Sequence, residues 1–240
     1  MIETMQIRDA GQSAVQNELE LLLGELPLRG GRLLELGCGR AEKTRAIAKT
    51  GLPAEIVALE VDRRQHEINL AQEPIPGVEF RLGGAEAIPF DDGRFDFVVM
   101  FRSLHHVPVE RMAAALKEVS RVLKPGGMAW ISEPVFAGGV DQIMRLFYDE
   151  SQMREAAFAA LRQAVEQGWL QLRKQLFFST RSRFRDFDEF DARMIRVTHA
   201  EHRLSPAMYQ AVRDKFAACM TPAGAEFLNP QRVDLLVKGP

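Results

Sequence analysis

Two cysteines in 240 residues are too few for a disulfide framework, and Cys38 and Cys219 belong to no metal-type or redox-type spacing. No ligand set for a metal is legible. No apolar run approaches the roughly eighteen residues that span a bilayer, and the opening stretch MIETMQIRDAGQ has no signal-like apolar region. These absences fit a cytoplasmic protein whose membrane contact, if any, is peripheral. A formal net charge of −2 supplies no global field for nucleic acid, which is therefore not an expected partner. The chain has no internal repeat and no low-complexity linker. What remains is ordinary globular composition, 46% hydrophobic, enough for one α/β domain with room for an insertion.

The most informative positive feature is GRLLELGCGRA, residues 31–41. Leu33, Leu34 and Leu36 form a short apolar run of the kind expected for a parallel strand covered on both faces. Gly37 and Gly39 permit backbone angles and close ligand approach that a side chain would block, and Thr44, Ile47 and Ala48 lie on the helix expected to follow. A dinucleotide fingerprint needs a third glycine where Glu42 stands, and a carboxylate there would repel a diphosphate at the helix N-terminus. The pattern acidic-x-G-x-G-x-G instead matches Glu35, Gly37 and Gly39, with Ala41 in the last place. It suits a cofactor that carries a cationic amino group and no phosphate. Cys38, inside the turn, reads as a small buried filler.

Four segments follow in order. IVALEVDRRQ reads as a second strand, Ile56 to Leu59, with Glu60 at its end. A carboxylate about twenty residues past a glycine turn can accept from both ribose hydroxyls. Asp62, with Gln65 three residues on, reads better as the N-cap and N3 of the next helix, so Glu60 is preferred as ribose ligand over Asp62, against the plain alternative of a solvated strand end. RLGGAEAIPFDDGRFDFVVM carries a third strand, Val78 to Leu82, and a fourth, Phe95 to Met100. MFRSLHHVP sits at the carboxyl end of that fourth strand, where doubly wound sheets place their ligand crevice. EVSRVLKPGGMAWISEP reads as a helix ending at Leu123 or Lys124, a Pro125-Gly126-Gly127 turn and a fifth strand, Met128 to Ser132.

With these segments, the chain from about Leu33 to Glu133 resembles the class I S-adenosylmethionine-dependent methyltransferases, specifically the small-molecule group of ubiquinone/menaquinone-biosynthesis-like enzymes (methyltransferase type 11). The resemblance implies an α/β, three-layer Rossmann-like sandwich. Its seven-stranded, mostly parallel sheet would run in the order 3-2-1-4-5-7-6, with the last strand antiparallel and a helical insertion after the fifth. It implies one domain over residues 1–240, with a core at 28–136, a helical cap at about 137–172 and C-terminal strands and helices at 173–240. S-adenosyl-L-methionine is the implied cofactor, held by Glu35, Gly37, Cys38, Gly39, Thr44, Glu60 and Val61 on the first two turns. Gly84, Ala85 and Glu86 would lie at the adenine. In the family an acidic residue commonly precedes that alanine; Gly84 stands there in this chain. Phe101, Arg102 and Ser103 would border the methionine part, with His105 and His106 close to the methyl donor. Histidine titrates near neutrality and can take a proton from a hydroxyl or amine. Packing and hydrogen bonding at the start of the next helix is the competing role for either ring. Arg102, a cation beside a cationic cofactor, needs an acidic partner such as Glu133 or a negatively charged substrate group.

Outside this core, Val15, Leu19, Leu22, Leu23 and Leu26 trace a leading helical stripe. Gln142 to Tyr148 and Ser151 to Gln167 have helical spacing and could cover the crevice. Lys174 to Phe184 reads as a sixth strand and RVDLLVK as a seventh, with Ser205 and Pro206 starting a helix between them. Glu133, Phe147, Tyr148, Arg181 and Arg183 are candidate substrate contacts. The stretch from Arg181 to Arg203, which includes His199 and His202, mixes arginines with phenylalanines. Interspersed Asp186, Asp188, Glu189, Asp191 and Glu201 make a solvated, charge-balanced face the stronger reading. The expected function is methyl transfer to an O, N or C atom of a small molecule. A cofactor-binding partner protein without transfer activity and a nicotinamide oxidoreductase are the alternatives, and homodimerisation stays open.

Overall fold

The computed structural model describes residues 5–9, 11, 13–135, 138–197 and 202–240. The chain alternates through α1 (Glu18–Glu25), β1 (Arg32–Leu36), α2 (Glu42–Ala48), β2 (Glu55–Glu60), α3 (Arg63–Leu70), β3 (Val78–Leu82) and β4 (Phe95–Phe101). A single 3₁₀ turn, Leu104–His106, leads to α4 (Val109–Val122) and β5 (Leu123–Pro134). Two cap helices follow, α5 (Gly139–Met144) and α6 (Ser151–Glu166), then β6 (Gln171–Phe184). The chain closes with α7 (Phe187–Phe190), a π-helical turn (Asp191–Ile195), α8 (Pro206–Ala217), the two-residue β7 (Met220–Thr221) and β8 (Gly224–Val237).

The sheet runs β3-β2-β1-β4-β5-β8-β6, with β7 paired to β8 alone. The first five strands are parallel, and β8 is antiparallel to both β5 and β6. With β8 in the place of the seventh strand, this is the order expected from the resemblance. Alternate residues of each strand feed two cores. Leu34, Val57, Val98 and Ile131 pack under α4 and α6, while Leu33, Ile56, Val99 and Trp130 pack under α1 and α2. The sheet is thus covered on both faces, which is why β1, β2 and β4 read as continuous apolar runs. A third cluster, centred on Phe184, Phe190, Phe216 and Phe227, joins α5 and α8 to the outer ends of β6 and β8.

Several element bounds differ from the sequence expectations. Helix α4 stops at Val122, because Leu123 is already extended and pairs with Phe95; the Pro-Gly-Gly segment is an irregularity inside β5 rather than a separate turn. Strand β8 is twice the length of RVDLLVK. Its first half, from Gly224 to Asn229, alternates buried Ala225 and Phe227 with exposed Glu226 and Leu228 and is laddered to β6. Asp62 does cap α3, accepting from the backbone N–H groups of Arg64 and Gln65, but the Gln65 side chain does not return to it and bonds Asn69 instead. Val15 lies ahead of α1, in an isolated bridge with Ser179. His199 and Glu201 fall outside the described residues.

Candidate active site

The carboxyl ends of β1, β2, β4 and β5 open into a cavity of about 1300 Å³, roofed by the cap helices and the outer ends of β6 and β8. Glu35, 1% exposed, ends the buried face of β1, and its Oε2 accepts from the Thr44 hydroxyl at 2.6 Å. Burial raises the Glu35 carboxyl to about 7, against the lowering effects of the Thr44 hydrogen bond and the Lys43 charge. Thr44 itself is fully buried and acts on the cavity through Glu35.

The glycine turn is held from three sides. The N–H groups of Gly37 and Cys38 both donate to the Leu59 carbonyl. Asn69 on α3 donates to the Gly39 carbonyl at 2.7 Å, and Glu60 accepts from the Gly39 N–H at 2.6 Å. Gly37 has φ +71°, and a Cβ there would stand 2.7 Å from the Ser103 Cβ. The Ser103 hydroxyl in turn donates to the Leu36 carbonyl, so the turns after β1 and β4 are packed directly together. Ala41, in the third glycine position, adopts the same left-handed region at φ +58°.

The second oxygen of Glu60 accepts from the Asp62 N–H at 2.8 Å, so this carboxylate organises both strand-end turns as well as facing the cavity. Val61 lies exposed on the rim. Gly84 carries the departure from the family pattern, and its structural counterpart is clear. A Cβ on Gly84 would lie 2.4 Å from Glu86 Oε2, so the Glu86 carboxylate occupies the space that a side chain at 84 would take. Arg111 donates to its other oxygen.

Arg102, in left-handed backbone at φ +53°, does not pair with Glu133. Its guanidinium meets Glu18 at 3.2 Å, and Lys43 meets the same oxygen at 3.1 Å. Glu18, at the start of α1, was not singled out by the sequence, since one acidic residue in a first helical turn is unremarkable. Its other oxygen and Asp62 Oδ2 are buried acceptors without a partner among the described residues, and both residues line the cavity. Orphan buried acceptors call for donors. A cationic amino group and the hydroxyls of a ribose are donors of the right kind, so the residues present fit an adenosyl-methionine ligand.

At the other end, His105 is buried and hydrogen-bonds through Nδ1 to Glu133. Glu133 also accepts from the Leu104 N–H at 3.0 Å and is register partner to the buried Arg232 on β8. Burial would lower the His105 imidazole, but the charge and hydrogen bond of Glu133 and the charge of Glu150 outweigh it and hold the group above its ordinary value. Glu133 is likewise pushed up by burial and drawn further down by His105 and Arg232, ending below the usual carboxylate range. Glu133 does not line the cavity, contrary to its expected substrate contact; it positions His105 instead. His106 is exposed on the cavity side, its ring centroid 4.1 Å from that of His105.

The acceptor end is walled by Val140, Met144, Tyr148, Met153, Phe184 and Met194. Tyr148, a candidate substrate contact, thus lines the cavity. Phe147 does not: it packs in the outer aromatic cluster and against the His202 ring. Arg181 reaches the cavity while bound to Glu226 at 3.2 Å, whereas Arg183 stands outside it and bonds the same Glu226. Interspersed carboxylates do pair with Arg185, Arg193 and Arg196, but Arg181 to Phe184 is strand rather than helix, and Arg193 also lines the cavity. Glu150 and Arg154, paired at 2.6 Å beside His105, were missed, because nothing local in the sequence marks them.

Residues 34–131 match the family described as "Methyltransferase domain". Over 100 residues the chain is 36% identical to a probable phthiotriol/phenolphthiotriol dimycocerosates methyltransferase 2 of Mycobacterium ulcerans, covering 42% of this chain and 38% of that one. Over 121 residues it is 35% identical to the demethylmenaquinone methyltransferase of Staphylococcus carnosus, covering 46% and 48%. The chain thus spans less than half the length of these relatives. The crystal structure of the YcgJ protein from Bacillus subtilis shares the fold, with a TM-score of 0.61 at 18% identity over 92% of this chain and 98% of that one. The turn geometry and the sequence match coincide on one segment: residues 34–131, which match the methyltransferase domain family, carry the glycine turn and the parallel part of the Rossmann-like sheet.

Proposed function

We propose that this protein transfers the methyl group of S-adenosylmethionine to a small-molecule acceptor by in-line displacement, releasing S-adenosylhomocysteine. The observation that carries this reading is the pair of buried carboxylates, Glu35 and Glu60, at the ends of adjacent strands, bracketing a glycine turn where the Glu42 carboxylate at the helix N-terminus would repel a diphosphate. The cofactor supplies an electrophilic methyl group already activated by its sulfonium charge. The residues of the chain bind, orient and exclude water, which is the larger part of the task in such a displacement. Glu35 and Glu18 hold the amino group, Glu60 and Asp62 the ribose hydroxyls, and the Ala85 backbone with Glu86 the adenine. His105, fixed by Glu133, presents Nε2 to an acceptor hydroxyl or amine and takes its proton.

The apolar wall of Val140, Met144, Met153 and Phe184 favours an acceptor with an apolar body. The names of the relatives, a phthiotriol-type and a menaquinone-type methyltransferase, agree with a small-molecule acceptor. No helix among the described residues is long and apolar enough to cross a membrane. Calorimetry with S-adenosylhomocysteine and with NAD tests the first step: binding of the former and none of the latter is expected, and the reverse would overturn the reading. Incubation of metabolite extracts with a radiolabelled methyl donor tests the second. A labelled small-molecule product is expected; cofactor binding with no product from any extract would favour a non-catalytic partner protein.

A further inference from the structure

Three side chains at the acceptor end bring possible ligand atoms together: His105 and His106 on the 3₁₀ turn after β4, and Glu150 just before α6. One ring nitrogen of each histidine and one oxygen of Glu150 lie within 4.8 Å of one another. His105 Nε2 and Glu150 Oε1 are 3.8 Å apart, too far for a hydrogen bond. Neighbouring ligands about 2.1 Å from a shared tetrahedral ion stand roughly 3.4 Å apart, so a small rotation brings this pair to bonding distance. His106 lines the cavity beside this pair.

The two buried donors are fixed from behind. Glu133 engages His105 Nδ1, which leaves Nε2 as the ring nitrogen facing Glu150. Arg154 engages Glu150 Oε2 at 2.6 Å and is itself anchored on Asp141 at 3.0 Å, which leaves Oε1 facing His105. A carboxylate on the far nitrogen of an imidazole is the outer shell that orients metal-bound histidines.

We propose that His105 Nε2, His106 and Glu150 Oε1 bind one divalent transition-metal cation, with its remaining positions open to the cavity. Two imidazoles and one carboxylate suit zinc(II) or cobalt(II) better than magnesium or calcium, which prefer all-oxygen sets. The open positions face the acceptor chamber, so an oxygen of the acceptor, such as that of a phenol, enol or alcohol, completes the coordination. A cation and a proton exclude each other on Nε2; the loaded protein therefore binds its acceptor through the ion, and the unloaded one through the imidazole. The site goes beyond methyl transfer and does not depend on it.

Titration of the full chain with cobalt(II), followed by visible d–d absorption and by displacement with zinc(II), tests the site. One saturable equivalent is expected, weakened at least tenfold in His106→Ala and in the isosteric Glu150→Gln, and unchanged in His66→Ala on α3. S-adenosylhomocysteine binding, measured in parallel, reports that each variant is folded. No saturable cobalt spectrum, or one indifferent to both His106→Ala and Glu150→Gln, overturns the proposal. A normal cobalt titration without any methyl transfer would leave the site standing and remove the proposed function instead.

Discussion

The Glu35 carboxylate at the end of β1 accepts a 2.6 Å hydrogen bond from the Thr44 hydroxyl on α2, and neither group meets bulk water. Burial raises Glu35 from 4.5 to about 7, so between those values the folded chain keeps a proton that the unfolded chain has lost. The folded state then binds more protons, and this group makes stability fall as pH rises through that window, by up to about 3 kcal/mol. Glu35→Gln removes the contribution. Denaturant unfolding should show the variant gaining on the parent from pH 5 to pH 8; the opposite trend would refute the assignment.

A cationic amino group beside Glu35 favours the ionised form, so cofactor binding should expel the proton. Calorimetry of S-adenosylhomocysteine binding near pH 6, in buffers of different ionisation enthalpy, should report net proton release that disappears in Glu35→Gln. Equal heats in all buffers would separate Glu35 from the ligand.

Gly37 and Gly39 both lie in left-handed backbone but differ in what surrounds them. A Cβ on Gly37 meets the Ser103 Cβ at 2.7 Å, whereas one on Gly39 meets nothing within 4 Å. Gly37→Ala should cost about 2 to 4 kcal/mol, the sum of backbone strain and overpacking, and Gly39→Ala about 1 to 2 kcal/mol from strain alone. Chemical denaturation of the two variants checks the order.

Glu60 accepts from the Gly39 and Asp62 N–H groups, so its loss affects more than a ligand contact. Glu60→Ala should weaken cofactor binding at least tenfold and also destabilise the fold by about 1 to 3 kcal/mol, through two backbone donors left without an acceptor. Glu60→Gln, which keeps acceptor capacity on one side, should lose less stability. Equal cofactor affinity in all three proteins would remove Glu60 from the ribose site.

What was legible in the sequence is what leaves a local pattern. Leu33 to Leu36 and Phe97 to Met100 announced buried parallel strands because both faces are covered, and Leu116, Val119 and Val122 kept helical period because α4 packs on one side only. Pairs formed across long separations left no such trace. Arg102 finds Glu18 at a distance of 84 residues, and Glu150, on the far side of β5 in the chain, comes within 3.8 Å of His105. The first half of β8 was not read as strand either: Ala225 and Phe227 alternate with exposed Glu226 and Leu228, too short a pattern to announce itself without the partner β6.

Strand β8 enters the sheet between β5 and β6, both made earlier in the chain. On the ribosome, β6 therefore has only the isolated bridge to Val15 until β8 has emerged, and Glu133 waits equally long for Arg232 to arrive at its back. The nucleoside half can assemble during synthesis, while the half that receives the acceptor is finished only once β8 has emerged. Nascent chains stalled before Gly224 should thus be open to proteolysis beyond β5 and protected ahead of it.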